Sequence, residues 1–235
     1  MCIVSVAMTM SACSRSSEEN VTESTIAIST DSTEVSTNTD DTTYAVTFLS
    51  NDGNILKIDY VSENASAVPP VEPEMTPGVV FSGWEPSFST VTANMEIHPQ
   101  TISLDGKTNV FAMPAAYGRM DESVIVPLKV CGNVVVSGFD IVVEYDPECL
   151  ALESVFNEDG GVIYNDEIPG QIRLNYVSIA DTTADIDVCD FKFRVIADDD
   201  SIVSVCVQGI CAGNSDDSMY APEYEVINST VYIYH

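Results

Sequence analysis

The side chains able to do chemistry in this chain are mostly carboxylates: 37 Asp and Glu, against eight Lys and Arg and two His. Paired carboxylates suggest glycoside hydrolysis, in which an acid and a base or nucleophile flank one bond. Asp121-Glu122, Asp166-Glu167, Asp198 to Asp200 and Asp216-Asp217 are adjacent acids. With so many acids, adjacency arises by chance, and no second motif turns any of them into a catalytic pair. Asp198–Asp200 and Asp216–Asp217 are alternative calcium positions, but the Asp-x-Asn-x-Asp-Gly loop that organises calcium ligands is missing. His98 sits beside Pro99 with no second ligand nearby, and His235 is terminal. Besides Cys2 and Cys13, the cysteines are Cys131, Cys149, Cys189, Cys206 and Cys211, without a zinc-type spacing. Five is odd, so at least one of them stays unpaired within a chain. The expectation is a non-enzyme with no metal and no cofactor.

Charge narrows the partner. The net charge is −29, spread as −6 over residues 14–43, −6 over 44–103 and −17 over 104–235. Such a surface repels phosphate, which excludes nucleic acid bound through its backbone and attraction to anionic lipid headgroups. A hydrophobic share of 45% is enough to build a core, so wholesale disorder is excluded.

Residues 2–13 are apolar or small and uncharged, and too short to span a bilayer. Met10-Ser-Ala-Cys13 resembles the lipobox of bacterial lipoproteins, which implies acylation of Cys13 and a place on the outer cell surface. Membrane contact is then expected only through lipidated Cys13, and diacylation makes that anchor stable. Residues 14–43 hold 15 Ser or Thr in 30 positions and no aromatic, the composition of an extended tether.

The first folded segment runs from 44 to 101. Tyr44–Phe48 alternates, Asn51-Asp-Gly-Asn54 reads as a turn, and Ile55–Val61 completes a hairpin. A proline-rich loop and Val79–Trp84 follow. Tyr44, Val46, Phe48, Asp52, Gly53, Leu56, Pro70, Pro73, Gly78, Phe81, Gly83, Trp84 and Val91 together resemble the Listeria–Bacteroides repeat. That resemblance implies a small β-grasp-like module used as a spacer. Trp84, the one tryptophan, is expected in its core rather than on a sugar ring, and His98 is expected on the surface.

Residues 105–235 alternate in short runs between turn signals, the pattern of an all-β sandwich or jelly roll. Val124, Val126, Leu128 and Val130 share one face. Phe139, Ile141, Val143 and Tyr145 share another, which turns Gly138, Asp140, Val142 and Glu144 the opposite way. Further runs are Leu150–Phe156, Gln171–Ala180, Asp187–Ile196, Ile202–Cys211 and Tyr224–Tyr234. In the run from Gln171, the core takes Ile172, Leu174 and Tyr176, leaving Arg173, Asn175 and Val177 outside.

Val126-Pro-Leu128, Gly138-Phe-Asp140 and Tyr145-Asp-Pro-x-x-Leu150, followed by Gly170-Gln-Ile-Arg-Leu174 and Phe191-Lys-Phe-Arg-Val195, resemble the cohesin domain. The resemblance implies a nine-stranded jelly roll that binds dockerin modules of other secreted proteins through a flat sheet face. On this chain it points to Gly138, Asp140, Val142, Glu144, Arg173, Asn175 and Val177. The alternative is a carbohydrate-binding module on a related sandwich, which needs an exposed aromatic platform. Residues 105–235 contain no Trp, and their Tyr residues do not recur in a row.

Overall fold

The computed structural model describes residues 42–70, 77–157, 161–213 and 218–235. Cys13, residues 14–41, Pro73 and the Asp216-Asp217 pair lie outside the described residues. No helix occurs among those described.

Four strands come first: β1 (Thr43–Leu49), β2 (Ile55–Ser62), β3 (Val79–Glu85) and β4 (Met95–Ser103). They form a mixed sheet in the order β2-β1-β4-β3, with β1 parallel to β4. Gly53, at φ +76°, turns β1 into β2 where a side chain would be strained. Val46 and Phe48 alternate into a core with Phe81, Trp84, Phe88, Val91 and Ile97. Trp84 is buried and His98 exposed. β4 runs through Ile97-His-Pro99 to Ser103. A proline is tolerated within it for a local reason. β1 pairs with β4 only over Met95–Ile97, so Pro99 has one neighbour, β3, and its missing N–H leaves no ladder on the β1 side broken.

Twelve strands follow: β5 (Val110–Ala112), β6 (Ala116–Gly118), β7 (Ser123–Cys131), β8 (Val136–Glu144), β9 (Leu150–Phe156), β10 (Val162–Asn165), β11 (Gln171–Thr182), β12 (Ile186–Val195), β13 (Ser201–Gly213), β14 (Met219–Tyr220), β15 (Glu225–Ile227) and β16 (Ser229–Ile233). One sheet runs β10-β11-β8-β13-β16-β6, with β14 attached to β13. The other runs β15-β5-β7-β12-β9. The count exceeds nine because the first and last runs each break while changing sheets, and β14 adds a short rim strand. Pro114 separates β5 from β6, and Asn228 separates β15 from β16. Neither break wastes a polar group. The Ser229 hydroxyl donates to the Pro114 carbonyl at 2.6 Å, and the Asn228 side chain accepts the Val205 N–H at 3.0 Å.

Between the sheets lie Phe111, Leu128, Ile141, Leu150, Ile172, Leu174, Phe191 and Phe193, all essentially without solvent contact. Each contributes about 1.5–3 kcal/mol by leaving water. Tyr-Asp-Pro-x-x-Leu works as a corner feeding that core. The Asp146 side chain accepts the Glu148 N–H at 2.8 Å and its carbonyl accepts the Leu150 N–H at 2.9 Å, which sets Leu150 inside.

The four-stranded sheet does not keep a core to itself. Ala115, Tyr117 and Tyr232 of the sandwich pack against Phe81, Trp84 and Phe88. Tyr117 stacks on Tyr232 with ring centroids 5.0 Å apart, and the described residues fall within a single compact unit.

Candidate functional site

Period-two alternation turns one side of β10, β11, β8 and β13 away from the core. The ladder then sets neighbours across that face. Gln171, Arg173, Asn175 and Val177 on β11 stand opposite Glu144, Val142, Asp140 and Gly138 on β8. On the other flank of β8, Ser204, Cys206, Gly209 and Cys211 of β13 stand opposite the same four residues. The seven positions singled out from the sequence therefore occupy one continuous patch of two adjacent strands.

They do not share one environment. Glu144, Arg173, Asn175 and Val177 are exposed, with Val177 at 80%. Gly138 and Val142 are buried, which corrects their reading as open contact positions. β8 is central in its sheet, and at Gly138 the β11 backbone and the Cys211 side chain of β13 close in. A methyl group at Gly138 would come 3.1 Å from the Tyr176 carbonyl and 3.3 Å from the Cys211 sulfur. Gly138 is thus the floor of the patch, and Val142, also buried, lies between Arg173 and Cys206 in the ladder.

Asp140 lies at the centre, half-buried between Asn175 and Gly209. Its Oδ1 is out of solvent and has no hydrogen-bond partner among the described residues. A buried acceptor left unmade costs about 1–3 kcal/mol. The strand opposite supplies no roof: β13 is irregular between Val207 and Gly209, and a methyl group at Gly209 would meet nothing within 4 Å. The space above Gly209, next to Asp140 in the ladder, is therefore empty.

Around that acceptor the surface is apolar at one edge and polar at the other. Ile179 is fully exposed and Ile163, opposite Asn175 on the edge strand β10, is 76% exposed. Glu144 accepts a long hydrogen bond from Gln171 at 3.5 Å. Arg173 is the one Lys or Arg on β8, β10, β11 and β13. Cys206 is exposed with its sulfur 3.1 Å from the Gln208 amide nitrogen. No aromatic side chain stands on the outward side of these four strands; Tyr164 and Tyr176 fall on the alternate register positions. Reading the sequence missed Ile163, Ile179 and Cys206. Ile179 was available by extending the alternation from Val177, whereas β10 is only four residues long and carries no signal of its own.

The other sheet differs in kind. On its outward side Glu153 is held by Lys192 at 2.9 Å, Ser123 at 2.8 Å and Arg194 at 2.5 Å. Those partners, Lys192 foremost, lower its carboxyl to about 2. Lys129 pairs with Asp187 at 2.9 Å. Glu153 and its partners satisfy one another, while the Asp140 Oδ1 has no partner among the described residues. The thiols are also sorted by depth. Burial raises Cys131 to about 11 and Cys189 to about 12, and none of the five described cysteines is in a disulfide. Among the described residues no cluster of His, Cys, Asp and Glu is arranged to hold a metal ion.

No family model matches the chain, and no curated protein matches it. Among solved structures it is similar to the seventh ScaB type I cohesin of Pseudobacteroides cellulosolvens, at 15% identity and TM-score 0.48, over 53% of this chain and 90% of that one. It is also similar to the CaCohA2 protein of Clostridium acetobutylicum, at 14% identity and TM-score 0.44, over 55% of this chain and 96% of the other. A non-cellulosomal cohesin of the archaeon Archaeoglobus fulgidus is similar at 20% identity and TM-score 0.44, over 54% of this chain and 91% of that one.

Proposed function

We propose that residues 105–235 are a cohesin-like docking module and that the chain is a non-catalytic adaptor on the bacterial cell surface. In this reading Cys13 carries the lipid anchor, residues 14–43 are the tether, and residues 44–101 are the spacer. The partners are dockerin modules of secreted, polysaccharide-degrading enzymes. The observation that carries the reading is the unpartnered, buried Oδ1 of Asp140 at the centre of a broad, nearly flat sheet face with Val177, Ile179 and Ile163 along one side. A protein interface of standard size combines such a desolvated centre, a few apolar anchors and a polar rim. A partner that brings a hydroxyl or amide donor to Asp140 completes its hydrogen bonding. The ordered cohesin-like motifs of β7, β8, β11 and β12 support the same reading.

The test is native-gel migration of the full chain against a panel of dockerin modules, with soluble polysaccharides as a parallel arm. A retarded complex with at least one dockerin is expected. No shift with any dockerin, or retardation by polysaccharide alone, would overturn the proposal.

A further inference from the structure

β2 is the outermost strand of the four-stranded sheet, and among the described residues no strand pairs with its free side. Its pattern is inverted for a strand on a core. Lys57 and Asp59 lie on the inward face, opposite Phe48 and Val46, and both side chains are engaged with Val68. The Lys57 ammonium donates to the Val68 carbonyl at 2.6 Å, and the Asp59 carboxylate accepts the Val68 N–H at 2.7 Å. The outward face carries Leu56, Ile58 and Tyr60, with Tyr60 71% exposed. An exposed edge with an apolar face is an invitation to pairing; no proline or outward charge interrupts Ile55 to Val61, and the inward charges Lys57 and Asp59 oppose pairing only where the neighbouring strand leaves them unmatched.

About Ile58 the apolar positions of this strand are symmetric and its two charges are opposite in sign. Ile55-Leu56-Lys57-Ile58-Asp59-Tyr60-Val61 runs apolar, apolar, cation, Ile, anion, apolar, apolar. We infer that β2 is a self-complementary edge that pairs antiparallel with β2 of a second copy of this chain, about a two-fold axis at Ile58. In that register Ile58 faces its own copy and Leu56 faces the second copy's Tyr60 on the outward side. Lys57 faces the second copy's Asp59, and Asp59 the second copy's Lys57, on the inward side. An ammonium has three donors and a carboxylate about four acceptor sites, so the bonds to Val68 leave capacity for this cross-strand pair.

The charges also select the register. A two-fold axis normal to the sheet keeps faces matched only if it passes through a residue pair. Moving it to Lys57 or to Asp59 sets like charges directly opposite, which is unfavourable. The axis at Ile58 alone pairs cation with anion twice. Two four-stranded sheets then become one continuous eight-stranded sheet, and the apolar stripe of each copy gains cross-strand neighbours of its own kind.

Sedimentation velocity of the full chain, over a concentration series reaching about 100 µM where weak dimers populate, tests association. A monomer–dimer equilibrium is expected, weakened at least about tenfold by Ile58→Lys, which places two ammonium groups at the axis. Ile58 is exposed, so the substitution leaves the core untouched. Register is read by cross-linking. Under mild oxidation Ile58→Cys forms a disulfide-linked dimer above the parent background, because opposite residues lie within bridging distance. Leu56→Cys alone does not, since its two copies are separated by about 13 Å along the strands. Mixed Leu56→Cys and Tyr60→Cys chains cross-link with each other. A chain that stays monomeric throughout, a dimer indifferent to Ile58→Lys, or cross-linking at position 56 as efficient as at 58 overturns the inference.

Discussion

The Tyr117 hydroxyl accepts the backbone N–H of Trp84 at 2.7 Å, tying the first strand run of the sandwich to β3 of the four-stranded sheet. The bond is made in a crowded corner, where Gly83 at φ +143° leaves its Cβ position 3.1 Å from the same hydroxyl. Tyr117→Phe keeps the ring stack on Tyr232 and leaves the Trp84 N–H without its acceptor. The expected loss is ~1–3 kcal/mol of stability, read as a lower urea midpoint. Trp84 is the chain's one tryptophan, so its fluorescence reports on this joint. Fluorescence and far-ultraviolet circular dichroism should lose their native signals together, because both sheets share that core. Two separated transitions would contradict it.

Asp140 makes a prediction with opposite signs in two assays. Its buried oxygen is unpaired in the free chain, so Asp140→Ala should leave the melting temperature unchanged or raise it. Docking should weaken by ~1–3 kcal/mol, the value of a hydrogen bond completed at an interface centre. Titration calorimetry with a dockerin identified on native gels measures the second quantity. A destabilised variant with unaltered affinity would remove Asp140 from the docking face.

Cys206 offers a footprint of the same face. It is exposed, whereas burial raises the thiols of Cys131 and Cys189 well out of the reactive range. Disulfide-exchange reagents should label Cys206 far faster than either. Cys206→Ser should remove one fast-reacting thiol per chain. A dockerin seated on β8 and β13 should protect it, and undiminished labelling in the complex would place docking elsewhere.

Glu153 gives a pH dependence whose sign follows from its partners. Lys192, Ser123 and Arg194 hold its folded carboxyl at about 2, below the ordinary 4.5. Its contribution is therefore complete above pH 4.5 and is lost as pH falls from there toward about 2. The stability difference between the native chain and Glu153→Gln should be constant from neutral pH to about 5 and then shrink. Urea denaturation at a series of pH values measures it. A difference that holds steady down to pH 2 would show that the ion pairs at Glu153 carry no linkage.

Much of this architecture could be read from alternation. The runs that became β7, β8, β9, β11, β12 and β13 are long enough for period two to show. The faces of β8 and β11 follow from the same rule. What alternation lacks is the neighbour. That Asn175 stands opposite Asp140, or that Cys211 overhangs Gly138, depends on register between strands far apart in sequence. The burial of Gly138 and Val142 was not legible because a single strand gives no hint of what its two neighbours bring against it. Short strands were lost for a related reason: β5, β6 and β10 have three or four residues each, too few to display a period, and β15 and β16 were read as one run. β2 was legible as the second strand of a hairpin, but its faces were not, since its core-facing positions include Lys57 and Asp59, held by one backbone peptide at Val68.

The sheet-switching first and last runs have a consequence for when the molecule becomes itself. β5 is parallel to β15 and β6 to β16, and Ser229 closes onto Pro114 across 115 residues of sequence. Until the closing segment has emerged, β6 lacks its one strand partner, β15 is missing from the end of its sheet, and the β13 edge lies open. Contacts of such long sequence separation make folding slow, because loop closure precedes any reward. A chain built this way completes its sandwich only after β15 and β16 have been made.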